Sequence, residues 1–185
     1  SRGLGDVYKR QLEELLADPL AESFKLLTHQ GDNWYAAGEF DKAIGPFEKA
    51  MALREDDVSA RNNVAIAHGQ ARLGDITAHQ NRAIEVHEGT LDRVAAGSPD
   101  WAMTQNNLGA AWRRLPTGDR AANITKAIAA YEAALTVRTK AAHPVGWALT
   151  QNNLGAAWAN LPTGDRAANL AKAIAAFEAA LTVYT

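Results

Sequence analysis

Three asparagine pairs are the first candidates for directed contacts: Asn62–Asn63, Asn106–Asn107 and Asn152–Asn153. A carboxamide both donates and accepts, so a row of them suits the backbone of a bound chain whatever its side chains. Beyond the middle pair, Arg113 and Arg114 add positive charge, and Arg113 suits a carboxylate on a partner. In the next copy of this segment they become Ala159 and Asn160, as a varied binding surface would show. His68 and His87 are a second constellation. They take the places of Trp112 and Tyr131 in the following copy, and are expected to meet between two helices. Such a pair binds metal or senses pH in some proteins, and in most is hydrogen-bonded core. His29, His79 and His143 stand in no such relation. The repeated PTGDR string (Pro116–Arg120, Pro162–Arg166) lacks the glycine spacing and Lys-Ser/Thr of a phosphate-binding loop, and reads as a turn with a capping aspartate. No nucleophile–base arrangement or carboxylate pair is present, so the sequence reads as non-enzymatic, with no cofactor and no metal.

The elements that must position these residues repeat. Trp101–Thr139 and Trp147–Thr185 differ at seven of 39 positions, with a period of 46. A weaker copy, Arg61–Leu91, aligns without gaps at an offset of 44, and the earliest is Phe24–Met51. Fixed periods of this size mark solenoids. Each copy holds two helical patterns. In the third, Leu108, Trp112 and Leu115 recur at helical spacing, as do Ala127, Ile128, Tyr131, Ala134 and Leu135. Between them lies a breaker with Pro116 and Gly118, after which Asp119 or Asn123 caps the second helix. Pro144 and Gly146 mark the turn to the next copy. Nowhere does an alternating apolar pattern call for a strand.

Composition narrows the function classes. The chain has 185 residues, enough for one sizeable core, and a formal charge of −2, which gives no basic face for nucleic acid or an anionic membrane. It has no cysteine, which removes disulfides and thiolate chemistry. No apolar run approaches the roughly 18 residues a membrane span needs. A cytoplasmic location is expected.

Gly31, Trp34, Gly38, Phe40, Ala43, Phe47 and Ala50 resemble the tetratricopeptide repeat in type and spacing. The resemblance implies that Gly31 and Ala43 let two helices approach closely while Trp34 and Phe47 fill the hairpin core. From the small residue of the first helix to the alanine of the second is 12 residues in the first copy (Gly31 to Ala43). It is 18 in the others (Ala65 to Ala83, Gly109 to Ala127, Gly155 to Ala173), so six extra residues are expected in the intra-hairpin loop. This longer period and the QNNLG motif are similar to the kinesin-light-chain style of repeat and its bacterial relatives. The implied fold is an all-α superhelix over residues 12–185, with hairpins at about 22–54, 57–96, 100–142 and 146–185. In such repeats first helices line a concave groove, so Asn62, Asn63, Asn106, Asn107, Arg113, Asn152, Asn153 and Asn160 are the expected groove residues. The second Asn of each pair is commonly Asn in this repeat, which favours bonding between neighbouring repeats for Asn63, Asn107 and Asn153. The implied function is a protein- or peptide-binding scaffold within a larger protein. The alternative is a regulatory arm packed on an effector domain of its own chain. A module centred on His68 and His87 is a weaker third reading.

Residues 1–11, SRGLGDVYKRQ, look like a translated sequencing-library adapter and are set aside. Leu12–Ala17 resembles the end of a further hairpin, and no polar capping helix follows the last pattern. Both ends are therefore expected to be cut, with weak self-association through the uncapped last hairpin.

Overall fold

The computed structural model describes residues 18–183. The adapter-like stretch and Leu12–Ala17 lie outside them. Eight helices follow in order: α1 Pro19–Ala36, α2 Phe40–Leu53, α3 Val58–Gln70, α4 Ile76–Leu91, α5 Pro99–Arg114, α6 Arg120–Leu135, α7 Pro144–Asn160 and α8 Arg166–Leu181. No strand occurs among the described residues.

Local sequence sets the helix starts. Asp18, Asp57, Asp75, Ser98, Asp119 and Asp165 each accept a backbone N–H of the first turn. Asp119 is thus the cap of α6, and Asn123 does something else: its Nδ2 donates back to the Thr117 carbonyl at 2.8 Å, closing the loop. Gly118 and Gly164 hold the left-handed turn of that loop at φ 78°. Pro144 opens α7, and Gly146 lies inside its first turn and not in the connection, with the Arg138 side chain against it.

Consecutive helices pack as antiparallel neighbours into four hairpins, and each hairpin stacks on the next. First helices also touch across repeats, α3 with α5 and α5 with α7, forming an inner wall. One core runs through Phe47, Val64, Ile84 and Leu108, another through Ile124, Ile128, Tyr131 and Leu154, and Trp112 packs against both.

Two expectations need correction. The six residues that lengthen later copies do not all enter the loop. The loop grows from 37–39 to 71–75, two residues, and the other four extend the second helix by about one turn, since α2 reaches Ala43 after three residues and α6 reaches Ala127 after seven. Trp34 does not fill the first hairpin, being 36 % exposed with Lys42 above its ring at 4.9 Å. Phe47 is its large buried ring, lying where a Cβ on Gly31 would sit, 2.3 Å from the ring.

Candidate functional site

The inner wall carries a cleft of about 290 Å³ lined from all four first helices, by Tyr35 on α1, Gln70 on α3, Asn106, Asn107, Arg113 and Arg114 on α5, and Asn153 on α7. A smaller cleft of about 110 Å³, lined by Asp32, Tyr35, Asn63 and Ile66, continues it toward α1. The helical phase places these residues together. Asn106, Asn107, Ala110, Arg113 and Arg114 recur at three- and four-residue spacing on one face of α5.

The structure therefore brings Asn63, Asn106, Asn107, Arg113 and Asn153 to this wall, and does not bring Asn62, Asn152 or Asn160. Asn62 is buried, and neither its Nδ2 nor its Oδ1 has a hydrogen-bond partner. Asn106 is also buried, whereas Asn152, its equivalent one hairpin on, is exposed. Asn160 is exposed and donates to the Ala156 carbonyl of its own helix at 2.6 Å.

The amides partly bond one another. Asn153 Nδ2 donates to Asn106 Oδ1 at 3.1 Å, and Asn106 Nδ2 donates to Asn107 Oδ1 at 3.2 Å. This chain ties α7 to α5. It also leaves Asn107 with its Nδ2 and Asn153 with its Oδ1 uncommitted among the described residues. One donor and one acceptor thus remain beside the cleft.

Tyr35 and Gln70 line the cleft without a sequence signal of their own chemistry, Arg114 joins Arg113 there, and His87 lines it apart from His68. A usable signal existed. The position after each first-helix Trp or His is Tyr35, Gly69, Arg113 and Ala159 in the four copies, and it varies amid conserved neighbours. Burial and the adjacent Arg113 depress the Arg114 guanidinium, which donates to the Gly69 carbonyl at 3.3 Å. Tyr131 is wholly buried behind the cleft. Burial pushes its phenol up, and the neighbouring Arg113 opposes that rise.

The histidine expectation also needs correction. The ring that His68 meets is His79, Nδ1 to Nδ1 at 2.8 Å, while its Nε2 faces Glu48 Oε1 at 3.2 Å. A carboxylate only accepts, so neutral His68 carries its proton on Nε2 and its bare Nδ1 accepts from His79. Burial lowers the His68 pKa, and the Glu48 carboxylate opposes this. His87 lies apart, 1 % exposed with an unpartnered Nδ1, and burial pushes it down to about 4. It fills the place of Phe47, Tyr131 and Phe177. The facing glycine of those hairpins is here Ala65, because a smaller imidazole leaves room for a methyl. Among the described residues no three His, Cys, Asp or Glu side chains form a metal-ligand group.

No protein-family model matches the chain, and no curated protein matches it. Among solved structures, one described as the crystal structure of MamA aligns with a TM-score of 0.61 at 16 % identity, covering 95 % of this chain and 84 % of that one. The fold is a tetratricopeptide-like solenoid. A second MamA structure aligns at 19 % identity with a TM-score of 0.40, covering 88 % of this chain and 92 % of that one. At these identities the likeness concerns the fold. Among the described residues no helix is long and apolar enough to cross a membrane.

Proposed function

We propose that this chain is a protein-binding module that holds an extended segment of a partner along the groove of its first helices. The observation that carries the reading is the uncommitted Asn107 Nδ2 and Asn153 Oδ1 beside a cleft that runs across all four hairpins. An extended backbone presents alternating carbonyls and N–H groups, and these two atoms match one of each. A peptide selected from a random library on the intact chain tests this. Asn107→Ala with Asn153→Ala should weaken that peptide by about tenfold or more, equivalent to roughly 1.4 kcal/mol. Lys126→Ala, on the opposite side of the third hairpin, should leave it unchanged. Unchanged affinity in the asparagine variant, with loss in the lysine variant, would move the site off the groove.

A second surface supports self-association. On α8, Leu170 and Ile174 are exposed, whereas their equivalents Ile124 and Ile128 on α6 are buried under α7. Such a face attracts a second apolar surface. Sedimentation across a wide concentration range should show weak association that Ile174→Lys removes; a monomer throughout contradicts it.

A further inference from the structure

The main cleft of the groove contains two cations and no carboxylate. Arg113 and Arg114 line the cleft, and among the described residues neither takes part in an ion pair. No Asp or Glu lines that cleft, although the whole chain is acidic at −2. Several polar atoms around the pair are buried without a hydrogen-bond partner, the Tyr131 hydroxyl among them. Arg113 Nε is buried and unpartnered, and so is the Nδ1 of His87, on a side chain only 1 % exposed. The carboxyl end of α5 favours cations, which explains how two adjacent arginines are tolerated there, but a helix dipole supplies no counter-ion. Nor is the pair a feature of the repeat. The same two positions are Gly69 and Gln70 in the preceding hairpin and Ala159 and Asn160 in the next. The main cleft thus has one positive point, with no carboxylate lining it, beside the asparagine amides.

The geometry points to the class of anion. Adjacent residues on a helix project about 100° apart, so Arg113 and Arg114 do not present parallel forks to the two coplanar oxygens of one carboxylate. A tetrahedral phosphate monoester offers three oxygens in different directions and about −1.5 to −2 charges at neutral pH, which matches two guanidiniums in both number and direction. We infer that the segment held in this groove carries a phosphorylated serine or threonine, its phosphate bound between Arg113 and Arg114. This rests on the groove reading above and adds the chemistry that selects the segment. The backbone is held by Asn107 and Asn153, while the phosphate fixes its register.

The unpartnered Arg113 Nε–H is a built-in reporter. The intact 185-residue chain, labelled with ¹⁵N-arginine, is titrated at fixed ionic strength with four probes. These are a capped glycine–serine peptide phosphorylated on serine, its unphosphorylated form, its glutamate analogue and inorganic phosphate. The phosphopeptide should move the Arg113 Nε resonance saturably. It should bind at least about tenfold more tightly than each of the other three, the margin of one charge-assisted hydrogen bond. Arg113→Gln should erase that margin, and if this variant fails to fold, the wild-type titration stands alone. Equal affinity for the glutamate analogue would assign the site to carboxylates and overturn the inference, as would an Arg113 resonance that never saturates. Tighter inorganic phosphate than phosphopeptide would make this an ion site and not a register point. The groove reading fails separately, through the library-selected peptide and the asparagine variant.

Discussion

The second and third hairpins share a backbone plan and solve its interior differently. In the third, the Tyr131 ring is wholly buried against Gly109, where a Cβ would come within 2.8 Å of it, and Lys126 stands over Trp112 at 3.9 Å. In the second, His87 faces Ala65, and the Trp–Lys pair is replaced by His68 and Arg82, both held by Glu48 of the preceding hairpin at 3.2 and 3.5 Å. The first and fourth hairpins follow the third, with Lys42 over Trp34 and Lys172 over Trp158. One hairpin has thus exchanged apolar filling for titratable groups without a change of fold. A ring and the residue facing it change together because the space between two helices is fixed by their closest approach.

The largest effect should separate the two interiors directly. Tyr131→Ala is expected to cost about 3–5 kcal/mol, since it empties a fully enclosed site. His87→Ala should cost less than half of that, because the lost imidazole is smaller and brings an unsatisfied nitrogen with it. Equal losses in denaturant melts would show that the two positions do not play the same part.

Acid should single out the second hairpin. With His87 at about 4 in the folded protein and roughly 6.5 when unfolded, the unfolded chain binds the proton first. Stability is therefore complete above about pH 6.5 and declines as pH falls toward 4, by about 2 kcal/mol at pH 5 for this one group. The lowered His68 pKa acts in the same direction. Hydrogen exchange at pH 7.5 and 5 should show α3 and α4 losing protection before α5 and α6; uniform protection at both values would contradict the burial of these rings.

A smaller effect tests the paired change. His87→Phe copies the first and fourth hairpins but meets the Ala65 methyl, so it should destabilise by about 1–3 kcal/mol through overpacking. Adding Ala65→Gly should recover much of the loss, a coupling of at least about 0.5 kcal/mol in a double-mutant cycle. Strict additivity would mean that the two residues do not share a space.

The fold was legible because repetition multiplies weak local signals. Four copies of a helix–breaker–helix pattern, each with a small residue facing a ring, leave few arrangements open. The added turn was not legible, since a count of 18 residues does not distinguish loop from helix. That turn carries His79, which has no counterpart in the first copy, so alignment of the copies points to His87 where the ring that meets His68 is His79. Burial on a repeat face is also invisible in one copy. Ile128 is 6 % exposed and Ile174, its copy in a near-identical sequence, is 55 % exposed, because the first lies under α7 and among the described residues no helix covers the second. The same cause buries Asn106 and exposes Asn152. Groove residues such as Tyr35 and Gln70 escaped notice because they are ordinary residues whose placement comes from stacking.

The central claim, that a partner lies along the first helices, is most directly tested by mapping backbone and side-chain resonances of the intact chain on addition of a library-selected peptide. The account predicts that shifts concentrate on Tyr35, Asn63, Asn107, Arg113 and Asn153, with Trp112, Lys126, Trp158 and Lys172 unmoved. Shifts concentrated on those tryptophans and lysines, with the asparagine amides silent, would place the binding surface elsewhere and contradict it.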